Sequence, residues 1–267
     1  MNGPLLRHTW RSQRGRLGIV SLALVAWGFV LPVVYGAFGI DFREIIDSGI
    51  FPEQFASFGG GDVFSLSGSI ALGFIHPIMI ILVSVFAVGF ATSSIAGERQ
   101  RGTLEVLLAR PVSRRSVYVT LAVSVAGFIA ITVAAFLLGG ALGATVAGVA
   151  DELAAERLPI LWLNGVLMFG SFAAIGLAAS VSSDRLAPAL GVTVGILVVM
   201  YFLDVLGSLW PDAEVLQPYS LFHYLQAKAI LVGQADAFNF GLLGAVVAAG
   251  VVYALVVFPR RDLAAPS

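Results

Sequence analysis

Six long apolar runs dominate this chain and decide what it can fold into. They cover Leu17 to Phe38, Ile70 to Ile95, Val117 to Ala147, Leu158 to Val181, Leu186 to Gly207 and Phe240 to Phe258. Each is close to or beyond the roughly 20 residues that carry an α-helix across about 30 Å of hydrocarbon. Within lipid every backbone N–H and C=O must be satisfied inside its own helix or in a closed barrel, and the runs lack the period-2 alternation of barrel strands. The expected fold class is an all-α integral membrane protein with six transmembrane helices in one domain spanning 1–267. Composition agrees: 58% of the residues are hydrophobic and only 12% charged, far from the balance of a soluble domain.

The arginines set the orientation, because basic short loops stay in the cytoplasm. In a six-span topology Arg7, Arg11, Arg14 and Arg16 precede the first span. Arg99, Arg101, Arg110, Arg114 and Arg115 fill the second loop, Arg185 lies in the fourth, and Arg260 and Arg261 follow the last span. The opposite side holds only Arg43, Arg157 and Lys228. Both termini are therefore expected in the cytoplasm of a multi-pass plasma-membrane protein. The first span is expected to be retained, being too long and its flank too basic for a removable signal. Residues 215–232 are apolar enough to suggest a seventh crossing, but they contain Gln217, Pro218, His223, Gln226 and Lys228 and would send Arg260 and Arg261 outside. A re-entrant hairpin or an interfacial helix in the outer leaflet fits Tyr219, Phe222 and Tyr224 better.

Several chemistries are excluded by inventory. There is no cysteine, so no disulfide or thiolate site exists. His8, His76 and His223 are far apart in this topology, and no metal site is expected. A phosphate-binding G-x-x-x-x-G-K-[ST] loop is absent, and the single lysine, Lys228, lies in the outer segment. Neither a His-Glu-x-x-His pair nor a G-x-S-x-G elbow occurs, so the chain is not expected to be an enzyme or to bind a cofactor. No nucleic-acid partner is expected.

The second loop is too elaborate for a connector. Arg99 and Arg101 alternate with Glu98 and Glu105, and a short helix is expected from Thr103, whose hydroxyl would cap it after the flexible Gly102, to a stop before Pro111. Leu104, Leu107 and Leu108 then share one face. A leucine stripe on a wet loop needs cover from the membrane surface or from a partner's groove. An arginine belt contacting lipid phosphates is the plainer reading, which the glutamates fit poorly.

The run Gly97-Glu98-Arg99-Gln100-Arg101-Gly102-Thr103-Leu104-Glu105-Val106-Leu107-Leu108-Ala109-Arg110-Pro111-Val112-Ser113-Arg114 resembles the G-E-R-x-x-G-T-[LI]-E-x-L-L-x-x-P-[VI]-[ST]-R signature of ABC-2 type transporter permeases, the membrane subunits of prokaryotic ABC exporters. The resemblance implies that this loop carries a coupling helix seated in a cleft of a separate ABC ATP-binding subunit. ATP and Mg would be bound by that subunit. Glu98, Arg99, Arg101, Thr103, Leu104, Glu105, Leu107 and Leu108 are then the expected contacts, with Gly97 and Gly102 as flexible ends and Pro111 as the stop. It also implies a homodimer or a pairing with a paralogous permease, working by ATP-driven alternating access.

The N-terminus adds a basic stripe, Arg7, Arg11 and Arg14, beside an apolar one containing Leu6 and Trp10. That pattern suits a helix in the membrane interface, where the family has an elbow helix; a basic topogenic tail is the alternative. Short re-entrant helices are implied between spans five and six. Gly139 with Gly143, and Gly191 with Gly195, have the spacing that permits close helix approach, within the chain or between copies. His76 in span two and Asp204 near the end of span five are ionisable groups in apolar runs. They either pair along a cargo path or reach interfacial water. The phenylalanines give a weak hint of lipophilic cargo. An ATPase-independent channel or carrier and a membrane scaffold for another cytoplasmic partner are the competing classes. The excess of arginine over a single lysine goes with a GC-rich prokaryotic genome.

Overall fold

The computed structural model describes residues 1–47, 65–109 and 111–261, with the side chains of 39–47 excluded; those of Arg43 and Arg110 thus lie outside the described residues. The apolar runs form helices: α1 (Gly3–Asp47), α2 (Leu66–Ile75), α3 (Pro77–Ser84), α4 (Thr103–Leu108), α5 (Arg114–Val146), α6 (Leu158–Ser182), α7 (Leu186–Leu209), α8 (Ala227–Leu231) and α9 (Ala237–Arg260). No strand occurs among the described residues. Among the described residues five helices are long and apolar enough to span a bilayer, or six if the bent pair Leu66–Ile75 and Pro77–Phe90 is one span. The molecule is an all-α membrane protein.

Backbone contact through glycine ties α1 to α5. A Cβ on Gly139 would lie 2.1 Å from the Val25 carbonyl oxygen, and one on Gly143 2.3 Å from that of Phe29. Gly28 reciprocates, its missing Cβ 2.1 Å from the Phe136 carbonyl oxygen. In lipid such close approach replaces the hydrophobic drive that water would supply. The Gly139–Gly143 pair is thus used within the chain. Gly191 and Gly195 face open space on α7. Burial follows the same order: 56% and 61% of the apolar windows of α5 and α6 are buried, against 22% in α7 and 11% in α9. The first two form the centre, and the last two lie at the periphery.

Aromatic rings fill the centre. Phe128 of α5 lies 4.8 Å from Trp10, 5.0 Å from Phe86 and 5.4 Å from Phe90. Indole N–H groups find carbonyls, Trp27 donating to Gly73 at 3.1 Å and Trp162 to Ala130 at 2.8 Å. Both satisfy donors that would be costly to leave bare in lipid.

Three features add to the expectations. The N-terminal segment runs into the first span as one continuous helix of 45 residues. Trp10 packs this segment on α5: its ring lies on Phe128 and over Gly127, where a Cβ would come within 2.7 Å of it. The second span is broken at His76, where the two halves meet at 48°. Pro77 forces its neighbour out of the α region, and His76 has ψ 140. Beyond α3 the span runs through two π-helical segments, Val85–Phe90 and Ser93–Gly97. Each contains the wider turn that commonly marks a functional site.

Residues 211–231 between α7 and α9 form only short turns and α8, none long enough to cross. They fold back on the bundle: Ser220 Oγ donates to the Met200 carbonyl at 2.7 Å, and Asn164 Nδ2 donates to that of Tyr224 at 3.2 Å.

Candidate functional site at the basic end

The second span ends in a single turn, Glu98–Gln100, followed by Gly102 in the left-handed conformation at φ +72. Glycine meets this requirement without strain. Gly97, in contrast, is helical at φ −68, so only Gly102 supplies the turn. Thr103 does not cap α4 with its hydroxyl as expected. It is the first helical residue, and its hydroxyl donates to the Glu98 carbonyl at 3.1 Å and to the Glu98 carboxylate. That carboxylate also pairs with Arg101. Glu98 therefore closes the loop around Gly102.

The leucine stripe of α4 faces inward. Leu104 is 1% exposed, and Leu107 and Leu108 pack partly buried against the core. The protein itself thus supplies much of the cover that this stripe needs, and Leu107 and Leu108 remain half-buried. The outward residues of α4 are Thr103, Glu105 and Val106, with Val106 68% exposed, and Arg101 is exposed in the turn before it. Pro111 is exposed beyond the end of α4.

Arg99 is likewise turned in. It is 8% exposed and pairs with Asp184 in the α6–α7 turn at 2.7 Å. Asp184 also receives Arg261, whose Nη1 donates to the Val181 carbonyl at 2.7 Å. Arg114 at the start of α5 donates to the Arg261 carbonyl at 2.7 Å. The Gln100 side chain accepts from the backbone N–H of Leu186, the first residue of α7, at 2.9 Å. One ionic knot thus binds the loop to the ends of α5, α6, α7 and α9. Arg99 is a positioning residue rather than part of the exposed face.

Ser180 secures the π-helical segment above the loop. Its buried hydroxyl accepts from the N–H groups of Ala96 at 2.9 Å and Ile95 at 3.3 Å, and donates to the Thr92 carbonyl at 2.7 Å. Sequence reasoning missed Ser180, Asp184, Gln100, Arg114 and Arg261 as site residues. Their partners lie between about 80 and 150 residues away in the chain, and no local spacing signals them.

On the N-terminal side Arg7, Arg11 and Arg14 are exposed, whereas Leu6 and Trp10 are half-buried. The Asn2 N–H donates to Thr120 Oγ1 at 2.8 Å, joining the tip of α1 to α5. The arginines thus lie at the same end of the bundle as the knot.

A family described as ABC-2 family transporter protein matches residues 11–263. The chain belongs to that family. No curated protein matches it. The molecule is thus a permease of an ABC transporter.

At the other end of the permease no hydrogen bond or ion pair joins His76 and Asp204 among the described residues. His76 Nδ1 accepts from the Ile78 N–H at 3.3 Å, capping α3, and its ring lies 4.6 Å from that of Trp27. The imidazole is held by these local contacts. Asp204 lies on α7, where its backbone carbonyl accepts from Ser208 Oγ at 2.9 Å and Gln217 Nε2 at 3.2 Å. It borders a cavity of about 310 Å³ that His76 does not line.

Proposed function

We propose that this permease forms the transmembrane pathway of an ATP-driven exporter and takes its motion from a separate ABC ATP-binding subunit docked on the outward face of α4. The single observation that carries the reading is the construction of that loop. The short α4 presents Glu105 and Val106 to solvent beside Arg101, while Leu104 is buried in the core and Arg99 and Gln100 in the preceding turn fasten the loop to the α6–α7 turn and the start of α7. A helix so exposed on one side and so anchored on the other transmits force instead of absorbing it. ATP and Mg belong to the partner, and the permease itself catalyses no reaction.

Closure of two ATP-binding subunits would displace a pair of such helices, and the knot at Asp184 would pass the displacement to α7 and α9. The bend at His76 and the π-helical segments give the second span places to yield. A twofold assembly, from two copies or a copy and a paralogue, completes the pathway, with the open Gly191–Gly195 face of α7 available for contact. We place both termini and α4 in the cytoplasm of a prokaryotic cell, on the distribution of arginines.

The test is affinity purification of the tagged permease from native membranes in mild detergent, with mass spectrometry and an ATPase assay on the eluate. The wild type is expected to bring down an ABC ATPase that the Val106→Asp variant loses at unchanged permease yield. Recovery of no ATPase with the wild type would overturn the proposal.

A further inference from the structure

The cavity at the end opposite the loop takes its polar lining from Asp204 and Ser208 of α7, Gln217 and His223 of the folded-back segment, and Gln226 and Lys228 beside or within α8, with Ile75 of α2 on its apolar side. Its volume of about 310 Å³ equals that of roughly ten water molecules at about 30 Å³ each. Two groups of opposite charge type border it without meeting. The Asp204 carboxyl and the Lys228 ammonium enter no ion pair, with each other or elsewhere, among the described residues. Lys228 is the only lysine in the chain. Burial lowers the pKa of His223 while Glu214 opposes this, so its ring is neutral at pH 7 and leaves the cavity one acid and one base.

An anion or a cation alone would satisfy one wall of this cavity and be repelled by the other. A molecule with both charges a few bonds apart satisfies both. The amides of Gln217 and Gln226 and the Ser208 hydroxyl add neutral donors and acceptors around such a ligand, although Gln217 Nε2 already donates to Ser208 Oγ at 3.0 Å.

We infer that this cavity binds a zwitterionic group, an ammonium against Asp204 and a phosphate or carboxylate against Lys228. The group is supplied either as a soluble zwitterion or as the headgroup of a lipid. This inference does not depend on the docking of an ATPase, and binding is measured on the permease alone.

The experiment is titration of the purified, detergent-solubilised permease with phosphoethanolamine, ethanolamine and inorganic phosphate. In parallel, native mass spectrometry reads retention of phosphatidylethanolamine and phosphatidylglycerol. The wild type is expected to favour at least one zwitterionic probe over its singly charged counterparts by about tenfold or more, the contribution of one charge-assisted contact. Binding of the lipid without free phosphoethanolamine assigns a membrane headgroup, and binding of phosphoethanolamine assigns a soluble ligand. Lys228→Gln is expected to shift preference toward ethanolamine, and Asp204→Asn toward phosphate or phosphatidylglycerol. Lys228 lies on the short α8, so its variant keeps the test alive if Asp204→Asn misfolds. Equal binding of the zwitterionic and singly charged probes by the wild type, or an unchanged preference in the Lys228→Gln variant, would overturn the inference.

Discussion

Replacing Ser180 by alanine removes one oxygen and three hydrogen bonds. The hydroxyl is fully buried and serves the N–H groups of Ile95 and Ala96 and the carbonyl of Thr92, all in or beside the second π-helical segment. At about 1 kcal/mol net per bond, and somewhat more for groups left unsatisfied in a buried place, the loss is about 2–4 kcal/mol. For a chain of this size about 1 kcal/mol moves Tm by about 2–4 °C, so Ser180→Ala is expected to lower Tm by about 4–16 °C. Ser182, two residues on, is a control of identical chemistry: it is exposed, bonding the Ala178 carbonyl at 2.8 Å and the Tyr253 hydroxyl at 2.9 Å. Its loss should cost about 0.5 kcal/mol. Thermal unfolding of the purified variants in one detergent, followed by tryptophan fluorescence, reads the difference. Hydrogen exchange at residues 93–97 should rise only in Ser180→Ala. Equal Tm values for the two variants, with unchanged exchange, would refute the assignment of Ser180 as the latch of that segment.

Two further outcomes test the knot and the glycine contact. Asp184→Asn strips a shared partner from Arg99 and Arg261; since Asp184 is 60% exposed, solvent screens the pair and the expected cost is about 1–2 kcal/mol, read as a lower Tm together with weaker coupling of partner ATPase activity to transport. Gly139→Ala pushes a methyl group to 2.1 Å from the Val25 carbonyl oxygen and must part α1 from α5, an overpacking cost of about 1–3 kcal/mol, whereas Gly191→Ala enters open space and should leave Tm unchanged in the isolated permease.

Much of the fold was legible because lipid leaves a helix few alternatives. Four of the apolar runs coincide within a few residues with α5, α6, α7 and α9, whereas α1 extends well past its run at both ends, and Ser113 caps α5 through the Ser116 N–H at 3.2 Å as local chemistry dictates. The loop was legible as a unit, since glycine, proline and alternating charges punctuate it. Its facing was not. An amphipathic helix declares that its leucines need cover without declaring whose, and here the cover is the permease's own core. The paired glycines posed the same question and received opposite answers, Gly139 and Gly143 meeting α1 while Gly191 and Gly195 face outward. His76 looked like a costly intramembrane charge until its place before Pro77 made it a helix cap. Arg99, Asp184 and Arg261 meet only through the tertiary fold, so no reading of spacing could join them.

The absence of cysteine makes the central claim directly measurable, because any introduced thiol is unique. Single-cysteine variants Val106→Cys and Leu104→Cys, carrying a photoactivatable thiol reagent in native membranes, report which face of α4 meets the partner. The account predicts that position 106 cross-links to an ABC ATP-binding subunit, with a yield that changes on adding nucleotide, and that position 104 does not. Cross-linking from 104 with none from 106 would contradict it.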